Sequence, residues 1–204
     1  MQRYFAYVVV FTILATEMPS SAEGDDTSNG KADQLFQFLR GLGEDLLYTI
    51  KRSYNRNLKA DEGATVECVK AIKLKATDTD AVMCTIYKAG GKAANPFKAT
   101  YQKKGEDTIE GNPGSFNMTV LYVGEDERCF VIHMLDRTSQ IGNGKACDML
   151  SAMLGSSGGN CEREFTDECG SESPQLSTEG GCSDVPTPVC TEMSQLTLDG
   201  TDQV

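Results

Sequence analysis

Read along the chain, the spacing of apolar residues changes period several times. Tyr4 to Ala15 is an almost unbroken apolar run. Leu35, Phe38, Leu39 and Leu42 then fall at helical spacing, and Gly41 and Gly43 stop that helix. At Asp45 the period becomes two. Leu46, Tyr48, Ile50 and Tyr54 alternate with Leu47, Thr49, Lys51 and Ser53, which predicts a strand with one apolar face. Further strands are predicted over 65–76, 81–88, from Pro96 through Tyr101, 107–110, 115–123, 129–135 and 146–154, with polar or Gly-bearing turns between them. Cys161, Phe165 and Cys169 sit four apart and predict a second, amphipathic helix. One helix, eight short strands and one more helix suit a mainly β fold, an eight-stranded antiparallel up-and-down barrel. Closure removes its sheet edges, and its interior has room for one small ligand. A two-sheet sandwich uses the same alternation but has no pocket.

The first apolar run bears on compartment. Arg3 precedes it, and Ser20-Ser21-Ala22 places small residues at a cleavage site, the layout of a secretory signal peptide over residues 1–22. The run is shorter than the about 20 apolar residues of a spanning helix. Residues 23–32 are polar and read as a flexible leader, 33–182 as the barrel domain, and 183–204 as a disordered acidic tail. The expected location is extracellular.

Net charge is −11, and the signal removes Arg3 and Glu17 together, so the balance is unchanged. Such a surface repels phosphate backbones and anionic lipid heads, which argues against nucleic-acid and membrane partners. It steers in cationic ligands or basic proteins.

All eight cysteines follow the signal: Cys68, Cys84, Cys129, Cys147, Cys161, Cys169, Cys182 and Cys190. An even number in an oxidising compartment reads as a disulfide framework, with roughly a hundred pairings open. There is no Cys-x-x-Cys pair and His133 is the only histidine, so no metal site is expected. The chain has no Gly-x-Ser-x-Gly elbow, phosphate loop or metal motif, and His133 sits inside the apolar run Phe130 to Leu135 as a wall residue. The reading is a binder without a cofactor, not an enzyme. Asn117-Met118-Thr119 is a glycosylation sequon within a predicted strand, and modification requires Asn117 to face outward.

Residues 33–182 resemble the tick salivary lipocalins, the histamine-binding-protein group. The resemblance lies in the leading helix, Asp45-Leu46-Leu47-Tyr48 through Arg52-Ser53-Tyr54-Asn55, Glu67-Cys68-Val69-Lys70-Ala71, Arg128-Cys129-Phe130-Val131-Ile132, Asn160-Cys161-Glu162-Arg163-Glu164-Phe165, and Cys182. It implies the bridges Cys68–Cys182 and Cys129–Cys161, and leaves Cys84, Cys147, Cys169 and Cys190 for two further bridges of open pairing. It also implies a lipocalin-like barrel secreted in tick saliva that sequesters a small host mediator and blunts inflammation or haemostasis. Amine-binding members carry Asp directly after the second cysteine and Glu-Leu-Trp or Glu-Leu-Tyr on the next strand. Here those places hold Phe130 and Asp148-Met149-Leu150, and the chain has no tryptophan.

A pocket formed by Tyr48, Ile50, Phe130, Ile132, Met134, Asp148 and Leu150 is therefore expected to favour a fatty or eicosanoid ligand. Asp148 is the one carboxylate in this set that an amine such as histamine or serotonin would need. The alternative partner is a host plasma protein (complement, a chemokine or a clotting factor) held by the barrel's loops.

Overall fold

The computed structural model describes residues 30–54, 66–136, 145–154, 159–170 and 176–191. The expected signal peptide lies outside the described residues. A helix, α1 (Lys31–Gly41), leads into β1 (Leu46–Arg52), β2 (Val66–Ala76), β3 (Asp80–Ala89), the two-residue β4 (Lys92–Ala93), β5 (Phe97–Lys103), β6 (Thr108–Asn112), β7 (Phe116–Gly124), β8 (Cys129–Met134) and β9 (Cys147–Ser151). Two helices follow, α2 (Gly159–Cys169) and the short α3 (Glu179–Cys182).

Each strand pairs antiparallel with its chain neighbour, β4 only extends the edge of β3, and β9 returns to pair with β1. With β2 also paired to β3, eight strands close into an up-and-down barrel. This is the lipocalin-like architecture, mainly β, with helices before and after the barrel.

α1 closes one end. Its Ala32 amide donates to Glu106 O at 2.8 Å, and Lys73 Nζ donates to Arg40 O at 2.6 Å. The helix is thus tied to the β5–β6 turn and to the end of β2. The approach at its start is so close that a Cβ on Gly30 would meet Glu106 O at 2.4 Å, and only glycine fits. Leu35, Phe36, Phe38 and Leu39 are buried on its inner face and join Met83, Ile109, Met118, Val120, Phe130 and Ile132 in one apolar cluster inside the barrel.

A second apolar layer lies outside the wall. α2 packs Phe165 and Cys161 against Ile50, Val131 and Met149. The Cys129–Cys161 and Cys147–Cys169 disulfides bind this helix to β8 and β9 at both of its ends. At its N-terminus the Glu127 carboxylate accepts from the amides of Asn160 (2.9 Å) and Cys161 (3.0 Å). An anion at that end satisfies orphan N–H groups and meets the positive pole of the helix. Glu127, Cys129 and Cys161 are close enough together to resemble a ligand set, but both sulfurs are joined to each other and the carboxylate serves the cap.

The C-terminal segment completes the wall. β1 and β2 pair only at Leu46↔Ile72, Leu47↔Ala71 and Tyr48↔Lys70. Beyond that point residues 176 and 177 enter between them. Leu176 N donates to Ile50 O, Ser177 N to Glu67 O, and the Ser177 hydroxyl both accepts from Val69 N and donates to Val69 O. Cys68–Cys182 and Cys84–Cys190 then fasten the segment to β2 and β3.

Two expected boundaries move. Residues 31 and 32, placed in the leader, are helical, and Ala32 is fully buried. The tail expected from 183 is ordered fold as far as Cys190: Val185 is buried and Asp184 accepts from Lys88 Nζ. Apolar content was too low there to signal order, because disulfides rather than a hydrophobic stripe hold the segment.

The Glu127 cap makes stability pH-dependent. Its two backbone hydrogen bonds hold its carboxyl below the ordinary glutamate value of 4.5. A depressed carboxylate stabilises the fold fully above pH 4.5, and that contribution is lost as pH falls from there through the lowered folded value. Urea midpoints measured from neutral pH down to about pH 3 should fall more steeply for the native chain than for Glu127→Gln, and the two curves should converge at the acid end.

Candidate ligand-binding site

Above α1 the barrel encloses a narrow cavity of about 60 Å³. This is well below the roughly 300–1,000 Å³ usual for small-molecule sites, so a ligand larger than a few waters enters only as the lining side chains move apart. Leu35 and Leu39 of α1 form the floor, and Leu47, Val69, Ala71, Met83, Ile109, Phe130, Ile132 and Leu150 form most of the wall. Three hydroxyl-bearing residues, Thr49, Thr85 and Tyr101, interrupt it. The Phe130 ring stands edge-on to Phe38, with centroids 5.5 Å apart, so the floor helix fixes its orientation. Gly111 faces the same space across from Tyr101. Having no side chain, it lets the Tyr101 ring lie over it; a Cβ there would meet Met118 Cε at 2.8 Å.

The sequence-derived pocket set divides. Phe130, Ile132 and Leu150 line the void. Met134 is buried in the same inner cluster, beside the lining rather than on it. Tyr48 and Ile50 lie on the opposite face of β1. Ile50 is fully buried beneath α2, and Tyr48 packs against the outer clusters. This corrects the expectation that both line the pocket: β1 is covered on both sides, and Leu47 and Thr49 rather than Tyr48 and Ile50 form its inner face. The pairing of β1 with β9 shifts between Thr49 and Lys51. Before that bulge Leu47 and Thr49 point inward. After it Arg52 and Tyr54 do, while Lys51 turns outward to the Glu162 carboxylate of α2. A bulge inserts one residue and flips the parity of all that follow.

Asp148 shares the inward face of β9 with Leu150 and is 7% exposed. It lies opposite Arg52 in the ladder. Arg52 Nε donates to Asp148 Oδ1 at 2.7 Å and Arg52 Nη2 to Oδ2 at 2.9 Å, a bidentate pair. Tyr54 OH donates to Oδ2 at 3.3 Å, and the Arg52 guanidinium stacks 4.9 Å from the Tyr54 ring centroid. Burial alone would lower the Arg52 pKa, but the charge and hydrogen bonds of Asp148 outweigh it and raise the value, so the side chain stays a cation. Burial, aided by the nearby Asp148 charge, pushes the Tyr101 phenol up to about 12, and it remains a hydroxyl donor at neutral pH. The cavity walls are thus apolar apart from three hydroxyls, and the internally neutralised Arg52–Asp148 pair lies beside the lining, within electrostatic reach of Tyr101, rather than on it.

His133 pairs outward between Thr119 and Cys147, and burial followed by the Lys145 charge lowers its pKa. Asn117 is exposed on β7. All eight cysteines are paired, with Cys84–Cys190 and Cys147–Cys169 in addition to Cys68–Cys182 and Cys129–Cys161. Among the described residues no helix is long and apolar enough to cross a membrane.

The closed up-and-down strand order and the apolar interior define a lipocalin-like barrel. No family model and no curated protein matches the chain. Among solved structures it is similar to lobster apocrustacyanin A1, with a TM-score of 0.47 and 10% identity over 72% of this chain and 85% of that one.

The Arg52–Asp148 pair yields a mutational prediction. Arg52→Met or Asp148→Leu alone strands a buried charge and should cost about 3–5 kcal/mol. The double variant should cost clearly less than the sum of the two, as urea unfolding of all four proteins will show.

Proposed function

We propose that this protein is a secreted carrier that captures one amphipathic lipid, of the fatty-acid or eicosanoid kind, in the barrel. As a salivary protein of a tick it would withhold a host mediator and so blunt inflammation or haemostasis. The observation that carries the ligand class is the apolar lining of the barrel interior, with the neutralised Arg52–Asp148 pair beside it. Burying an acyl chain there gains about 25 cal/mol per Å² of apolar surface. A guanidinium has five N–H donors and Asp148 takes two, so Arg52 can also meet a polar head.

The same pair weighs against a biogenic amine. Asp148 already has a bidentate cation beside it, and a ligand ammonium would have to displace it at the cost of leaving Arg52 buried and unpaired. Four disulfides support the extracellular setting.

Calorimetric titration with arachidonic acid, leukotriene, histamine and serotonin tests this. The lipids should saturate at one per chain, and the amines should bind at least about tenfold more weakly, a difference of about 1.4 kcal/mol. Tighter binding of an amine, or no lipid binding, would overturn the reading.

The exposed position of Asn117 supports its use as a glycan acceptor in the secreted protein. Protein secreted from insect cells should lose mass on enzymatic deglycosylation, and Asn117→Gln should already have the lower mass.

A further inference from the structure

β3 alternates cleanly. Cys84 and Ile86 face outward under the C-terminal segment, where Cys84 bridges to Cys190 and Ile86 packs on Cys182 and Val185. Met83 and Thr85 face inward and line the cavity. Thr85 is 8% exposed, and its Oγ1 is buried with no hydrogen-bond partner among the described residues. Its ladder neighbours explain why. It lies between Ala71 of β2 and Phe97 of β5, neither of which has a polar side chain, and the backbone groups beside it are committed to the sheet. Its companions on the cavity wall, Leu47, Val69, Ala71 and Met83, offer nothing either.

A buried hydroxyl without a partner costs free energy that a valine of the same shape would not. Thr85 thus has a donor and an acceptor aimed into a space otherwise suited to hydrocarbon.

Position narrows the chemistry. Thr85 sits at the middle of β3, whereas Arg52 ends β1 and Asp148 is near the start of β9, at the end away from α1. A chain whose head lies toward Arg52 and whose tail lies on Leu35 and Leu39 passes Thr85 part-way along its length. We propose that Thr85 is the specificity-determining residue of this cavity and that the ligand is an acyl chain with an oxygen, hydroxyl or oxo, in mid-chain. The inference rests on the lipid reading above and narrows it: a plain fatty acid passing Thr85 leaves the hydroxyl unmade, while an oxygenated one completes it. Thr49 and Tyr101 bring two further hydroxyls to the same lining and widen the positions at which a second oxygen is tolerated.

The test compares stearic acid with mid-chain hydroxystearic acid by calorimetric titration against the native chain, Thr85→Val and Thr85→Ser. The native chain should bind the hydroxylated acid about tenfold more tightly, which is about 1.4 kcal/mol. Thr85→Val should lose that preference, bind stearic acid at least as well, and melt no lower without ligand. Thr85→Ser should keep the preference. Equal affinity of the native chain for the two acids, or a preference that survives in Thr85→Val, would overturn the role of Thr85 while leaving the lipid reading intact. Binding of neither acid would overturn both.

Discussion

An eight-stranded barrel closes only if its first strand meets its last, and here nearly everything turns on how β1 does so. On one side β1 pairs with β9 through a bulge. On the other it pairs with β2 over three positions and then parts from it. The bulge brings Arg52 into the interior opposite Asp148, and it leaves Ile50 and Lys51 outside as the seat for α2. Without it, straight alternation would turn Arg52 outward and leave Asp148 as an unpaired carboxylate inside an apolar cavity. One inserted residue therefore decides whether the interior carries a net charge.

The parting of β1 from β2 has a complementary consequence. It frees backbone groups at Ile50, Glu67 and Val69 that must find partners, because buried peptide groups left unpaired are costly. Residues 176 and 177 supply them. The C-terminal segment is thus part of the barrel wall, and the Cys68–Cys182 and Cys84–Cys190 bridges hold it there at sequence separations of 114 and 106. In the chain-entropy account loops this long stabilise by up to about 4–5 kcal/mol each. On the far side α2 is held by shorter loops of separation 32 and 22 and by the Glu127 cap. Both outer layers pack on the walls that shape the cavity and are fastened to them by the four disulfides.

Much of this was legible in the sequence. The period-two runs marked the eight barrel strands in the right places, since alternate residues of a strand face opposite sides of the wall. The change of period at Cys161 marked α2. The resemblance implied Cys68–Cys182 and Cys129–Cys161, while the other four cysteines stayed open until the fold brought them together. The inward face of β1 was not legible. Tyr48 and Ile50 look like the core face of a regular strand, and Ile50 is indeed fully buried, but under α2 rather than in the barrel. A strand covered on both sides defeats a one-face reading. The cavity residues Thr49 and Thr85 were missed because isolated threonines in a strand give no signal of facing inward. Arg52 was missed because an arginine at a strand end normally reads as solvent-facing.

Charge completes the argument about ligand class. A net charge of −11 reads as a surface that attracts cations and repels fatty carboxylates. The arrangement is less uniform than the sum. Lys70, Lys73, Lys75, Lys88, Lys92 and Lys98 fall on β2 to β5, while α2 carries Glu162, Glu164, Asp167 and Glu168. At physiological ionic strength exposed charges are largely screened beyond about 8 Å. Inside the barrel the charges, Arg52 and Asp148, are buried against each other and sum to zero. An approaching ligand therefore feels a weak and patchy outer field, and then an interior in which desolvation decides. Entering such an interior costs any charged head its hydration without a free counter-charge, while an acyl chain leaves only unfavourable water contacts behind. On the proposed reading the cavity, through its apolar walls and the balanced pair beside them, rather than the net charge, selects the ligand.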